Sequence, residues 1–348
     1  MQASHVADRR AWDERLRVAG GHPLQSWAWG ALKEEFGWQA QRLAAGDARA
    51  LLLLRPYRGV SAAYVPRGPL LSGSPDENQA LIGELVHVCR RNRAAFLRLE
   101  PDVPLGGDGQ QLLEALLAGR FRRVERTLQP RSSIRLDLQR TEDQILAGLS
   151  KGHRADVRRA ERSGVGVRVG AGDADIEALH AMMRETQRRK SFGIHTAAYY
   201  RRLCQLFGDD ARLLLAEHDG RLIGATLSIA FGAQALYLAA GASRTGLDLR
   251  ASHLLQWHAI RWARERGAAS YDLWGIPDAR GRLDLAAGVD GTESARVKLA
   301  AAAAKDPLDG VYRFKKGWGG RVVRSVPAYD RVFIAPAYWF WRWRRSEG

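Results

Sequence analysis

The spacing of apolar positions along the chain alternates between helical and strand-like periods. Apolar residues recur at three- and four-residue intervals through 25–36 and 76–92, which predicts two helices that turn one face into a core. Short apolar runs lie around them. Residues 50–54 read as a buried strand closed by Pro56, 62–66 as its hairpin partner, Gly68-Pro69 as a turn, and 95–99 as a strand stopped by Pro101. The pattern restarts at Thr141, where Thr141-x-x-Gln144 has the form of a capping box. Residues 164–169 then read as a short alternating strand, and 175–187 and 198–207 as helices. Three antiparallel strands follow at 212–217, 222–231 and 235–240, joined by turns at Asp219-Gly220 and Gly232-Ala233. A strongly amphipathic helix, 251–266, leads into a strand at 270–275. Residues 278–308 break the alternation with Gly, Asp and a mainly Ala run at 299–304, and read as an exposed insertion with one helix.

One stretch echoes another. Arg93-Ala-Ala-Phe-Leu-Arg-Leu-Glu-Pro101 and Gly267-Ala-Ala-Ser-Tyr-Asp-Leu-Trp-Gly-Ile-Pro277 each carry a helix end into a strand that a proline closes. A duplicated α/β unit accounts for this, and for a chain of 348 residues that is too long for one ordinary core.

Composition narrows the chemistry. The formal charge of +16 and pI near 10.4 favour an anionic partner, whether nucleic acid, anionic lipid or a diphosphate; an arginine-rich, merely solvated surface is the plainer reading. No window approaches the roughly 18 uninterrupted apolar residues of a spanning helix. The first residues, with Asp8, Arg9, Arg10, Asp13, Glu14 and Arg15, lack the apolar stretch of an export signal, so a soluble cytoplasmic protein is expected. Cys89 and Cys204 stand alone, the nine histidines form no metal-ligand spacing, and neither metal nor cofactor is expected.

Three segments carry candidate chemistry. Lys151, Arg154, Arg158 and Arg162 recur on one helix face and could follow a phosphate backbone, or simply be solvated. Phe314-Lys-Lys-Gly-Trp-Gly-Gly320 reads as a glycine-rich loop with two lysines, its glycines free to approach a ligand closely or take positive φ. The tail, 338–345, mixes aromatics with arginines, as does a helix at an anionic lipid interface; packing of its aromatics against the first domain is the alternative.

Taken in order, the landmarks resemble the Fem family, the tRNA-dependent aminoacyltransferases that build peptidoglycan cross-bridges. They are Gln25-Ser-Trp-Ala-Trp-Gly-Ala-Leu-Lys33, Phe36-Gly-Trp38, Pro66-Arg-Gly-Pro69, Arg154-Ala-Asp-Val-Arg-Arg-Ala160, Tyr237 with Gly241-Ala-Ser243, Tyr271-Asp-Leu-Trp-Gly-Ile276 and Tyr312-Arg-Phe-Lys-Lys-Gly-Trp-Gly-Gly320. The resemblance implies an α/β fold of two tandem GNAT-like domains with mixed sheets: 1–145, completed by the returning residues 321–348, and 146–320, carrying the insertion 278–308. Larger members have a coiled-coil arm, for which this chain has no heptad run. The partners implied are aminoacyl-tRNA and a peptidoglycan precursor, either lipid II or UDP-MurNAc-pentapeptide, handled by a monomer in the cytoplasm or at the inner face of the membrane.

The same resemblance assigns roles. Lys315 and Phe314 fall at positions credited with stabilising the tetrahedral intermediate and the acceptor end of the tRNA. Lys33, Trp29 and Arg67 fall where the first domain meets the precursor. Tyr199, Tyr200, Tyr237 and Tyr271 are candidates for lining the same groove, with Gly317, Gly319 and Gly320 beside the substrate, while Lys316 joins Lys151, Arg154, Arg158 and Arg162 toward tRNA. Compact members have an arginine before the tyrosine pair, whereas this chain reads His195-Thr-Ala-Ala198, so either recognition of the diphosphate or leading sugar differs or Arg188, Arg189 or Lys190 substitutes. Two other readings remain open. One is an acyl-CoA-dependent GNAT enzyme, although Arg244-Thr-Gly-Leu-Asp-Leu-Arg-Ala251 puts the glycine of its pyrophosphate loop out of register. The other is a non-catalytic protein that binds RNA or a membrane surface.

Overall fold

The computed structural model describes residues 3–189, 193–286 and 293–346. The chain divides into two compact units, 1–131 with 325–348, and 132–324. The first division falls at 131/132, ahead of the expected 145/146. The strand Ser132–Asp137 follows it at once and belongs to the second sheet, where backbone hydrogen bonds to two partner strands fix its place. The strand Arg321–Arg324, expected in the first domain, joins that second sheet for the same reason.

The first unit contains β1 (Ser4–His5), α1 (Arg9–Val18), α2 (Trp27–Glu35), β2 (Gln39–Ala45), β3 (Ala48–Tyr57), β4 (Val60–Pro66), α3 (Pro75–Arg91), β5 (Ala94–Glu100), α4 (Gly109–Leu117) and β6 (Arg122–Val124). Local chemistry starts its helices. Ser26 caps α2 by accepting from the Trp29 N–H, and Ser74 caps α3 by accepting from Glu77, with Pro75 in the first turn. β3 runs through Pro56 to Tyr57, beyond the expected end, because its register with β4 places Pro56 opposite Ser61 at the solvent end of the hairpin.

The second unit contains β7 (Ser132–Asp137), α5 (Glu142–Gly148), α6 (Lys151–Arg162), β8 (Gly166–Val169), α7 (Gly172–Arg189), α8 (Ala197–Phe207), β9 (Ala211–His218), β10 (Arg221–Phe231), β11 (Gln234–Ala242), α9 (Arg244–Asp248), α10 (Ala251–Glu265), β12 (Ser270–Gly275), α11 (Asp278–Ala286), α12 (Glu293–Ala304), α13 (Asp309–Lys316) and β13 (Arg321–Arg324). The capping box at Thr141 and Gln144 forms in full. The chain then returns to the first unit as β14 (Ala328–Val332) and α14 (Ala335–Ser346).

Strand for strand, the two sheets repeat one pattern. Their orders are β1-β2-β3-β4-β5-β14-β6 and β8-β9-β10-β11-β12-β7-β13. Every neighbouring pair is antiparallel except the fourth with the fifth, β4·β5 and β11·β12. The later strand of each parallel pair, β5 or β12, is one of the two echoing segments, reached through a long helix, α3 or α10. In each sheet the strand beyond the parallel pair comes from a remote part of the chain: β14 in the first, β7 in the second.

β14 is held by more than its ladder. The Arg98 guanidinium on β5 grips the Asp330 carboxylate with two hydrogen bonds of 2.8 and 2.7 Å, both side chains buried, and Tyr338 on α14 donates to the same carboxylate at 2.8 Å. The insertion 278–308 is less loose than expected. It forms two helices, and α11 is bonded into the second unit through Asp278, which accepts from Ser132 Oγ and Arg324, and through Asp284. Residues 287–292 within it lie outside the described residues.

Candidate functional site

In the second unit, β11 and β12 pair in parallel at Gln234↔Ser270, Ala235↔Tyr271 and Leu236↔Asp272. β11 continues through Tyr237, while β12 bulges. Trp274 takes φ +63°, a left-handed conformation unusual for a bulky residue, and its N–H donates to Asp272 Oδ1 at 2.7 Å. Asp272 is buried and also accepts from Ser133 Oγ and Arg135 Nε, so its carboxylate fixes the bulge. The bulge presents the Gly275 carbonyl, which accepts a 2.7 Å hydrogen bond from Lys315 Nζ. That ammonium also lies 5.7 Å from the centre of the Tyr237 ring. One lysine thus lies between the end of β12 and Tyr237 of β11, just beyond the last paired residues, Leu236 and Asp272.

Lys315 is 6% exposed. Burial holds its pKa down to about 8, against the opposing pull of Asp272. It stands on the last turn of α13, not in a loop: Phe314, Lys315 and Lys316 are helical, and the predicted glycine-rich loop begins only at Gly317. α11 braces this helix, with Asp284 accepting from Tyr312 Oη at 2.9 Å and Lys316 Nζ at 2.8 Å, and Arg280 bonding Asp309 at 2.7 Å.

The glycines answer to the protein's own packing. A Cβ at Gly317 would meet the His153 ring at 2.0 Å, one at Gly319 (φ +77°) the Gly148 carbonyl oxygen at 2.2 Å, and one at Gly320 the side chain of Ile134 at 2.7 Å. The close approach anticipated for a ligand is here made by α5, α6 and β7.

Sequence reasoning missed a pair of histidines beside this turn. His153 on α6 lies 4.8 Å, ring to ring, from His253 on α10, and both contact Phe314 and Trp318. His253 approaches Asp156 at 3.5 Å; burial, and then the neighbouring His153, bring its pKa down to about 4. The only signal in the sequence was that His153 immediately precedes the Arg154 motif.

The family model of the acetyltransferase (GNAT) domain matches residues 147–281. UDP-N-acetylmuramoylpentapeptide-lysine N(6)-alanyltransferase of Weissella viridescens is 26% identical over 62% of this chain and 66% of that protein. Lipid II:glycine glycyltransferase of Staphylococcus aureus is 22% identical over 97% of this chain and 94% of its own. The likeness to these Fem-type transferases supports a place for the chain in that family. The crystal structure of FemX superposes with a TM-score of 0.82 at 19% identity, over 98% of this chain and 99% of that one, and so shares the tandem GNAT fold.

Within this Fem fold the other expected site residues divide. Tyr237 stays beside Lys315. Tyr271 is fully buried, its hydroxyl hydrogen-bonded to Ser228 and Gln256, so it is a core residue and lines no groove. Tyr199 and Tyr200 are buried on α8, with His195 stacked 3.8 Å over Tyr199 and its N–H donating to the Tyr200 hydroxyl. Where compact family members have the arginine, Thr196 caps α8; Lys190 and the side chains of Arg188 and Arg189 lie outside the described residues. On α6, Lys151, Arg158 and Arg162 are exposed, but Arg154 donates to the Ala147 and Leu149 carbonyls and closes the end of α5.

In the first unit, Lys33 Nζ sits 4.6 Å over the Trp29 ring, and burial with the nearby Arg55 charge lowers its pKa to about 8. Arg67 is turned inward: it bonds Pro130 O at 2.7 Å and Ser325 Oγ at 3.0 Å, tying the returning chain to the turn after β4. Those bonds give it a structural task. In the α14 tail, Tyr338 is fully buried and Trp341 packs at a tilt against Phe96, while Trp339 and Phe340 are 54% and 48% exposed. The packing alternative is met by Tyr338 and Trp341, while Trp339 and Phe340 remain exposed among the described tail residues. Gly246, the out-of-register glycine, has its Cβ side filled by the Ile223 carbonyl oxygen at 2.0 Å, and α9 occupies the loop that would cradle a pyrophosphate.

Proposed function

We propose that this chain is a Fem-family transferase that moves an aminoacyl group from a charged tRNA to the stem-peptide amine of a peptidoglycan precursor. The observation that carries the reading is the buried Lys315 ammonium, wedged between β11 and β12 at a pKa near 8. Ester aminolysis needs this kind of group. The precursor's amine nitrogen forms a bond to the ester carbonyl carbon, and the carbonyl electrons move onto oxygen. The tetrahedral oxyanion then collapses, breaking the bond to the ribose oxygen. An ammonium in a dry site stabilises the negative charge that grows only in the transition state. At a pKa near 8 it is mostly protonated at neutral pH, yet gives up its proton more readily than an ordinary lysine. Lys315 can hand a proton to the departing ribose oxygen and regain one from the attacking amine. Tyr237 walls the same space, and Lys151, Arg158 and Arg162 offer exposed cations to the tRNA phosphates, while Lys316 is paired with Asp284. Lys33 over Trp29 is the matching cation for the precursor's diphosphate.

Support also comes from the relatives, whose names describe alanyl transfer to a UDP-N-acetylmuramoylpentapeptide lysine and glycyl transfer to lipid II. A lipid-linked acceptor is favoured by the exposed Trp339, whose ring centre lies 5.1 Å from the Arg122 guanidinium and 5.2 Å from that of Arg342, together with the exposed Phe340. Aromatics ringed by guanidinium groups suit the interface of an anionic bilayer.

The test is to incubate the protein with single charged tRNAs and either the lipid-linked or the nucleotide-linked precursor, and to weigh the product. An RNase-sensitive mass increase of one aminoacyl residue is expected. Transfer from acetyl-CoA with none from any charged tRNA would overturn the reading. For the acceptor, flotation with anionic vesicles should be lost in a Trp339→Ala, Phe340→Ala protein; flotation unchanged by those substitutions removes the argument for the lipid-linked form.

A further inference from the structure

The last turn of α13 ends in an open carbonyl. The ordinary helical partner of the Phe314 carbonyl is the Trp318 N–H, but that group bonds Lys315 O instead, at 3.3 Å. The position is taken by a side chain: His153 Nε2 lies 2.7 Å from Phe314 O. A carbonyl only accepts, so Nε2 carries the proton. Nδ1 pairs with Ser150 Oγ at 3.1 Å, which sets the ring's orientation, and burial lowers the ring's pKa and so favours the neutral form in which Nδ1 accepts. Two further contacts lock the same turn to α6: the Ser150 N–H donates to Gly317 O at 2.8 Å, and the His153 ring fills the space where a Gly317 Cβ would be. The residue so gripped, Phe314, immediately precedes Lys315.

We propose that His153 is a positioning residue for Lys315, holding the Phe314 carbonyl and the Gly317 backbone so that the ammonium reaches the Gly275 carbonyl between β11 and β12. This deepens the reading of Lys315 given above and rests on it for its catalytic consequence. The geometric part stands alone. If the grip is lost, the end of α13 can swing out, the ammonium gains water, and burial no longer depresses its titration; Asp272 on β12 and Tyr237 on β11 are the groups that face it.

The experiment compares the full chain with its His153→Leu and His153→Gln forms. Glutamine can present an amide N–H near the position of Nε2; leucine fills space but donates nothing. Competitive acetylation across pH 6–11, read by peptide mass spectrometry, reports the titration of Lys315 without any substrate. The natural protein should give a midpoint near 8. His153→Leu should move it toward the ordinary lysine value of about 10.4, and His153→Gln should bring it back. In the transfer assay, His153→Leu should lower kcat by about tenfold or more with KM for the precursor unchanged. A folded leucine variant whose Lys315 still titrates near 8 overturns the proposal. A shifted midpoint in the leucine variant, with no aminoacyl transfer by any form, upholds the positioning role and removes only the reaction assigned to Lys315.

Discussion

Lys315 Nζ and the Gly275 carbonyl oxygen, 2.7 Å apart, tie the end of a helix to the end of a bulged strand. The bulge exists because Asp272 spends its carboxylate on the Trp274 N–H, Ser133 and Arg135. Asp272 thus positions the acceptor of the lysine's hydrogen bond and supplies a negative charge that pulls its pKa upward against burial.

Lys315→Met should leave a folded protein whose transfer rate falls by about a hundredfold or more, the usual scale for losing one charge-stabilising group. A second signature is independent of substrate. The native pKa near 8 lies below the unfolded value of about 10.4, so between these values the unfolded chain binds more protons and stability rises with pH. Urea titrations should show the natural protein gaining on the order of 3 kcal/mol across pH 8–10.4 relative to Lys315→Met. Parallel curves for the two proteins would contradict the buried ammonium.

Gly317→Ala forces a methyl group into the His153 ring and should destabilise by about 1–3 kcal/mol, as overpacking does. In a His153→Ala background most of that cost should vanish. A double-mutant cycle by chemical denaturation checks this, with a coupling near zero as the contrary result.

His253 is partly buried as the neutral base, near His153 and Asp156 on α6 and Arg250, which precedes its own helix. Its native pKa of about 4 lies below the ordinary 6.5, so as pH falls from 6.5 toward 4 the unfolded state takes up the proton first and stability drops. The loss is on the order of 3 kcal/mol, and His253→Asn should be blunted in this window. Equal acid sensitivity of both proteins would speak against the buried pair.

Asp330→Asn removes the charge opposite a buried guanidinium and should cost about 3–5 kcal/mol. Thermal denaturation should show the loss, because β14 sits between β5 and β6 and cannot leave without splitting that sheet.

Arg158→Ala with Arg162→Ala should lower the salt slope of tRNA binding by about one to two, whereas Arg154→Ala should mainly lower stability, because that side chain closes α5. Filter binding across a salt series separates the two. An unchanged slope in the double variant would leave α6 a solvated face.

The sequence by itself determined much of this molecule. The strand and helix periods gave the α/β alternation, the Thr141 capping box and the β9–β10–β11 meander, because these depend on side-chain spacing and local turn chemistry. The echo of residues 93–101 in 267–277 marked β5 and β12, one strand of each parallel pair, and the ordered motifs pointed to Fem-type relatives and to Lys315. Tertiary structure decided the rest. β7 joins the second sheet and β14 the first through hydrogen bonds to strands far away in sequence, which no local pattern encodes. Arg67 and Tyr271, read as substrate contacts, are turned into the fold by partners as remote as Ser325 and Ser228. The three glycines serve close contacts with α5, α6 and β7 that only packing reveals. His153, on another helix more than a hundred residues from Lys315, meets its turn because the folded chain brings a donor to a carbonyl that the end of α13 leaves open.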